Sequence, residues 1–422
     1  MNILMFTNTF TPHVGGVARS VQQFTREYQS LGHRTLVVAP EFESMPPSEA
    51  GVVRVPALQK FNGSDFSVAV PLPGFLTQAI AKFVPDIVHS HHPFLLGDTA
   101  QRVAARYDIP IVFTHHTQYE KYTHYVPGDS EAMQKFVVDL AVGYCNMCEG
   151  VIAPSETIRQ RLIQQGVQTT VAEIPTGVET DVFGSGNGIE FRQEYGIGKS
   201  DFVVGHVGRL APEKGLDFLA DTVATFVANH GNAKFLVAGS GPSALTVSSA
   251  FDSRGIADRL ISVGRLDRPE LASLYNAMDV FAFASHSETQ GMVLTEAMAA
   301  STPVIAVDAP GVREIVSNGQ NGFLLPSDDK CQFVGKLEDY YNMPKAKRQL
   351  LIDGALKTAN EFSITNTAAS AISFYATLIR QGRSGPAHGS DLWSTARRRI
   401  DEEWHLWSNV GRAAAHAILH RD

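Results

Sequence analysis

The chain has 422 residues, is 44% hydrophobic and 18% charged, and carries a formal net charge of −8. That length holds two or three domains with large cores, and the acidic balance excludes a nucleic-acid binder, which needs a basic face. Three cysteines fit a reducing compartment, and neither an apolar run of ~18 residues nor a leader-like segment before the first strand is present, so a cytoplasmic protein is expected.

In chain order, NILMF, TLVVAP, DIVHS and PIVFT read as buried strands, and helical periodicity runs from Val17 to Leu31. TPHVGGVARS opens that helix. Gly15 and Gly16 either bring helix N–H groups near a diphosphate or simply form a tight turn. HSHHP and FTHHT place His89, His91, His92, His115 and His116 at strand ends, with His124 just beyond. No HExxH-type pattern supports a zinc site, so hydrogen bonding to a hydroxyl-rich ligand is the better reading for one or two of them. HTQYEKYTHY adds Tyr119, Glu120, Tyr122 and Tyr125, which suit a mixed apolar and polar ligand or packing between domains. Cys145 and Cys148 close an apolar helical run from Ala132 to Cys148, which marks them as buried thiols rather than a redox pair. FSVAVPLPGFL, Phe66 to Leu76, suits either a lipid surface or the core.

Ile174 to Gly188 reads as a linker. FVVGHVG, KFLVAG, LISVG, VFAFAS and TPVIAV then form a second strand series, separated by helices such as Leu216–Asn229 and Pro269–Met278. The expected fold class is therefore α/β, with two Rossmann-like doubly wound domains facing across a cleft at the carboxyl ends of their strands. In GHVGRLAPEKGLDFL, Arg209 and Lys214 flank a helix start at Pro212 or Glu213 and make an anion site. GSGPSA matches G-x-G-x-x-A. The next strand ends in Gly264-Arg265 rather than an acidic residue, so a plain turn is preferred over a dinucleotide loop.

SETQGMVLTEAMA holds Glu288 and Glu296 around Gly291. They are the acid and base of a hydrolase, two grips on one ligand, or surface charges. Glu296 falls well inside the following helix, so the pair need not flank one glycosidic bond. A helix from Ser363 to Gln381, a GRSGPAHGS joint and one last helix complete the chain. In that last helix Trp393, Ala396, Ile400, Trp404, Trp407, Ala414 and Ile418 recur on one face.

The E-x7-E pair with its glycine, EAMA, R-x4-K after a strand and the opening glycine pair together resemble the retaining glycosyltransferases of family 4, over roughly residues 1 to 380. The resemblance implies the GT-B architecture. It divides the chain into an acceptor-binding domain, 1–178, and a nucleotide-sugar-binding domain, 179–362, with a helix at 363–381 packing back toward the first domain. An amphipathic helix at 391–420 lies beyond where most relatives end. On matching positions it implies that Arg209 and Lys214 bind the donor diphosphate, Glu296 the ribose and Glu288 the transferred sugar. The backbone at Gln290, Gly291, Met292 and Val293 contacts sugar and phosphate, Gly16 approaches the diphosphate, and Leu266 meets the base. His116, in T-x-H-x, stands beside the reacting centre.

The resemblance further implies a metal-independent enzyme that needs no cofactor and uses a nucleotide sugar, UDP-glucose, as donor. THHTQYEKYTHY and SETQG are similar to segments of bacterial diacylglycerol glucosyltransferases. That implies a lipid acceptor held by His116, Tyr119, Glu120 and Tyr122, and peripheral membrane association. A soluble acceptor, or a sugar-nucleotide epimerase of the same architecture, is the alternative. For the last helix, Arg397, Arg398 and Arg399 suit anionic lipid, but Asp401, Glu402 and Glu403 offset them at i+4, which favours docking on the protein itself or another subunit.

Overall fold

The computed structural model describes all residues except 14, 44, 46–48, 59–67, 70–75, 119–129, 287, 383–391 and 420–422. It divides into two compact units, Met1–Pro175 with Thr367–Asp422, and Thr176–Asn366. Tyr119, Glu120, Tyr122, His124 and Tyr125, and most of Phe66 to Leu76, lie outside the described residues.

Unit 1 contains β1 (Asn2–Phe6), α1 (Gly16–Ser30), β2 (Arg34–Pro40), β3 (Val52–Val55), β4 (Ala57–Leu58), β5 (Val68–Ala69), α2 (Thr77–Phe83), β6 (Ile87–Ser90), α3 (Leu96–Tyr107), β7 (Ile111–Thr114), α4 (Glu131–Asn146), β8 (Gly150–Ala153), α5 (Glu156–Gln164) and β9 (Val171–Glu173). Seven strands form a parallel sheet in the order β3-β2-β1-β6-β7-β8-β9, and β4 with β5 makes a separate antiparallel pair. The central strands are continuous apolar runs because helices cover both faces; Ile3 to Phe6 and Ile111 to Phe113 are fully buried. Ser130 and Ser155 cap α4 and α5 by accepting from Met133 N and Ile158 N. Cys145 and Cys148 are both buried, and burial pushes both thiols up, which keeps them unreactive.

Unit 2 follows with α6 (Thr180–Gly184), α7 (Gly188–Glu194), β10 (Phe202–Val207), α8 (Leu216–Asn229), β11 (Ala233–Ala238), α9 (Ala244–Asp252), β12 (Leu260–Gly264), α10 (Arg268–Asn276), β13 (Val280–Phe283), α11 (Met292–Ala299), β14 (Val304–Val307), β15 (Gly322–Leu325), α12 (Lys330–Tyr341) and α13 (Lys345–Glu361). Its six parallel strands run β12-β11-β10-β13-β14-β15, with one core cluster on each face of the sheet. The segment read as a linker is partly structured: it contains α6, whose Phe183 is fully buried in that core.

α14 (Ile364–Gln381) crosses the unit boundary, and its Tyr375 hydroxyl lies 2.9 Å from that of Tyr28 on α1. α15 (Leu392–Leu419) packs on α3 and α4 of unit 1. The docked face is not the expected one. Glu402, Leu406, Asn409, Ala413 and Ala417 are buried, whereas Trp404 and Trp407 are 72% and 71% exposed. Close helix approach explains the choice. A Cβ on Gly143 of α4 would collide with the Asn409 side chain, so the bare backbone at that position is what seats Asn409 against α4. Asn409 Nδ2 donates to Leu140 O at 3.0 Å, and Glu403 pairs with Arg102 of α3 at 2.5 Å.

Candidate active site

Each sheet has one topological switch point, where strands added to one side give way to strands added to the other. In unit 1 it lies between β1 and β6, and in unit 2 between β10 and β13. Loops leaving the carboxyl ends at such a point diverge and leave room for a ligand. The opening glycine loop follows β1 and His91-His92 follow β6. Arg209 and Lys214 follow β10, and the Glu288 loop follows β13.

In unit 2 the helix expected to start at Pro212 or Glu213 is a 3-10 turn, Pro212–Lys214, and α8 begins only at Leu216. Gly215 separates them at φ 64, and a Cβ there would strike the Ala284 carbonyl. The break therefore lets the turn press against the end of β13. It also brings Lys214 Nζ to 2.5 Å from Glu288 Oε1, with both side chains less than one-fifth exposed. Arg209 pairs with Glu213 at the same turn. The GSGPSA turn packs beneath this segment: Ser243 N donates to Leu210 O at 2.8 Å, and a Cβ on Gly239 would collide with Gly208 O. Its glycines serve the Arg209 loop.

His206, inside β10, is fully buried and its Nδ1 meets the Ala282 carbonyl at 3.1 Å. A carbonyl only accepts, so Nδ1 carries the proton. Burial, aided by the charge of Lys214, lowers its pKa to about 4, so the ring stays neutral beside the cation.

Gln290 uses its side chain as well as its backbone. Its Oε1 accepts from Thr176 N at 2.5 Å and its Nε2 donates to Thr176 O at 2.8 Å, tying the loop to the first residue of unit 2. Gly291 then caps α11 at φ 76, and helix geometry leaves the first-turn N–H groups of Met292 and Val293 without intrahelical acceptors. Glu296 is 2% exposed, and the Tyr275 hydroxyl donates to its Oε2 at 2.9 Å. Leu266 packs on the same core, just before the Asp267 capping box of α10.

In unit 1, Gly16 begins α1, and a Cβ there would meet nothing within 4 Å. The histidines form one cluster. His91 Nδ1 lies 2.9 Å from His116 Nε2, and His89 bridges Tyr375 OH and Thr114 Oγ1 at 2.7 Å each. His92 Nδ1 accepts from Asn8 N at 3.1 Å. Burial lowers the pKa of His89 and His92 to about 3 and of His115 to about 4, and it holds His91 and His116 well below the ordinary value. Among the described residues no three His, Cys, Asp or Glu side chains come together as a ligand set for a metal.

Within unit 2 the structure thus gathers Arg209, Lys214, Glu288, Gln290, Gly291, Met292 and Val293 around one switch point, with Glu296 buried behind them. Sequence reasoning passed over Tyr275, His206 and Gly215, and also Gly311, where a Cβ would lie 2.9 Å from Gln290 N. Gly311 has a visible signal, the Ala309-Pro310-Gly311 turn after TPVIAV. Tyr375 has none, since 286 residues separate it from His89.

Two doubly wound parallel sheets of this kind make the GT-B architecture of nucleotide-sugar-dependent transferases. Residues 14–182 match the family model described as Glycosyltransferase Family 4, and residues 188–357 match Glycosyl transferases group 1. The chain is 30% identical to an alpha-monoglucosyldiacylglycerol synthase of Streptococcus pneumoniae, over 77% of this chain and 75% of that one. It is 28% identical to a GDP-mannose-dependent alpha-mannosyltransferase of Corynebacterium glutamicum, over 77% and 76%. Among solved structures, Anabaena Alr3699/HepE in complex with UDP-glucose aligns with TM-score 0.68 and 20% identity over 89% of this chain and all of that one. The chain belongs to glycosyltransferase family 4, the retaining hexosyltransferases.

Proposed function

We propose that the enzyme transfers glucose from UDP-glucose to the hydroxyl of a lipid such as diacylglycerol, with retention at the anomeric carbon. The observation that carries the reading is the placement of Arg209, Lys214 and Glu288 at the switch point of one sheet. Breaking the bond from anomeric carbon to phosphate oxygen leaves a nucleoside diphosphate anion and a sugar with oxocarbenium character. Arg209 and Lys214 supply fixed positive charge for the leaving diphosphate, aided by the first-turn N–H groups of Met292 and Val293. Glu288 and the Gln290–Gly291 backbone hold the sugar, Glu296 the ribose, and Leu266 lies by the base. The acceptor oxygen attacks from the face the diphosphate leaves, and its proton passes to the departing phosphate oxygen. Gly16 and His116 complete the reading from unit 1, and Tyr119, Glu120 and Tyr122 are the acceptor contacts it names.

Glucose and a lipid acceptor are supported by the glucosyldiacylglycerol synthase among the relatives, and the mannosyltransferase among them supports mannose on another acceptor as the second reading. Mass spectrometry of products from a panel of nucleotide sugars, each with diacylglycerol and with soluble acceptors, tests both. Product only with a soluble acceptor defeats the lipid reading.

No described helix is long and apolar enough to cross a membrane. Contact with a membrane from the cytoplasmic side is part of the proposal, supported by the exposed Trp404 and Trp407, since indole rings favour the bilayer interface. Vesicle co-sedimentation tests it: equal binding by wild type and a Trp404→Ser/Trp407→Ser variant removes α15 from that role.

A further inference from the structure

His116 is held through one ring nitrogen. Its Nε2 lies 2.9 Å from His91 Nδ1, and the two rings stack with centroids 5.2 Å apart. His91 is itself fixed: it is buried, and its ring centroid lies 4.0 Å from that of His89. His89 is pinned at both nitrogens, by the Tyr375 hydroxyl and by Thr114 Oγ1, and Tyr375 in turn meets Tyr28. Two neutral imidazoles share a single hydrogen bond here. Whichever ring supplies the proton, His116 Nε2 is committed to His91. The other nitrogen is different: His116 is half-buried, and its Nδ1 has no hydrogen-bond partner among the described residues.

We propose that His116 addresses the substrate through Nδ1, and that His91 is a positioning residue that commits Nε2 and sets the plane of the ring. The ligand class this atom fits is a sugar hydroxyl, met by an uncharged nitrogen. The inference rests on the reading that His116 stands beside the reacting sugar. Tyr375 from α14 and His89 from β6 support the arrangement without touching substrate.

An asparagine amide reaches the place of a histidine Nδ1, and a glutamine amide the place of Nε2. kcat and KM for UDP-glucose are therefore measured for His116→Asn, His116→Gln, His91→Asn and His91→Phe. His116→Asn is expected to keep kcat/KM within about tenfold of wild type and His116→Gln to lose about 10²-fold. His91→Asn is expected to recover most of the kcat that His91→Phe loses. A His116→Gln variant at least as active as His116→Asn overturns the proposal, as does a fully active His91→Phe. Full activity in both His116 variants instead removes the underlying reading of His116, so the two failures are distinct. Nitrogen NMR of the histidine rings in the wild-type chain needs no variant to fold: UDP-glucose is expected to shift His116 Nδ1 more than Nε2, and the reverse overturns the proposal.

Discussion

Lys214 Nζ lies 2.5 Å from Glu288 Oε1, an ion pair joining residues 74 apart in sequence. It links the loops that leave two adjacent parallel strands, β10 and β13, and both side chains are mostly withdrawn from water. A diphosphate entering the proposed site competes with Glu288 for the ammonium. Lys214→Ala and Arg209→Ala should each lower kcat by about 10²–10³-fold. The Lys214→Ala/Glu288→Gln double variant should lose less than the product of the single losses, with a coupling of about 0.5–3 kcal/mol. Steady-state kinetics of wild type, the single variants Lys214→Ala, Arg209→Ala and Glu288→Gln, and the double variant gives the answer, and a purely multiplicative loss means the pair does not act as a unit.

Gln290 spends both ends of its amide on the backbone of Thr176. Gln290→Leu removes the pair and leaves a buried N–H and C=O to find water, at a cost of about 1–3 kcal/mol. Gln290→Glu replaces the donor with a carboxylate facing a carbonyl and should be no better. Urea unfolding of the three proteins tests this; identical midpoints would show that the contact contributes nothing.

Gly311 and Gly319 share a left-handed backbone, φ 77 and 76, but not their surroundings. A Cβ at Gly319 meets nothing within 4 Å, while one at Gly311 lies 2.9 Å from Gln290 N and 3.0 Å from Glu288 O. Gly319→Ala should cost only the backbone strain, about 1–2 kcal/mol. Gly311→Ala should cost about 1–3 kcal/mol more and lower kcat, because it pushes the Glu288–Gln290 loop. Equal stability and activity of the two variants would contradict this packing.

The buried histidines of unit 1 make stability depend on pH. Burial lowers the pKa of His89 and His92 from 6.5 to about 3, so the unfolded chain binds more protons than the folded one between those values. Their contribution is complete above pH 6.5 and is lost as pH falls toward 3, by up to about 1.4 kcal/mol per pH unit for each ring. Unfolding midpoints should therefore fall between pH 7.5 and 5.5, a range chosen to straddle about 6.5, the ordinary imidazole value. A flat or rising profile would mean the rings are protonated in the fold.

Much of this was legible before any coordinates. The strands stand out because central parallel strands are apolar on both faces, and Asn2–Phe6 is found with the bounds its pattern implies. The unit 2 loops are legible because their cations, glycines and carboxylates lie in short segments next to those strands. Two readings went wrong for physical reasons. At Pro212 a helical turn does start, but it is 3-10 rather than α, and Gly215, pressed against the Ala284 carbonyl, separates it from the α-helix expected and found at Leu216–Asn229. In α15 the apolar stripe promised a docking face, but the face that seats Asn409 against Gly143 of α4 docks instead and leaves Trp404 and Trp407 outside. The supports behind the site, Tyr275 for Glu296 and Tyr375 for His89, are tertiary hydrogen bonds with no local sequence pattern.

The outward Trp404 and Trp407 have a practical consequence. The sequence holds three tryptophans, Trp393, Trp404 and Trp407, and all fall within α15. Indole emission from this protein therefore comes from a single helix. A blue shift on adding vesicles would mark rings leaving water, and a change in anisotropy would mark α15 lifting from α3 and α4. The fold carries its own optical probe, on a helix that holds none of the residues proposed to handle the sugar nucleotide.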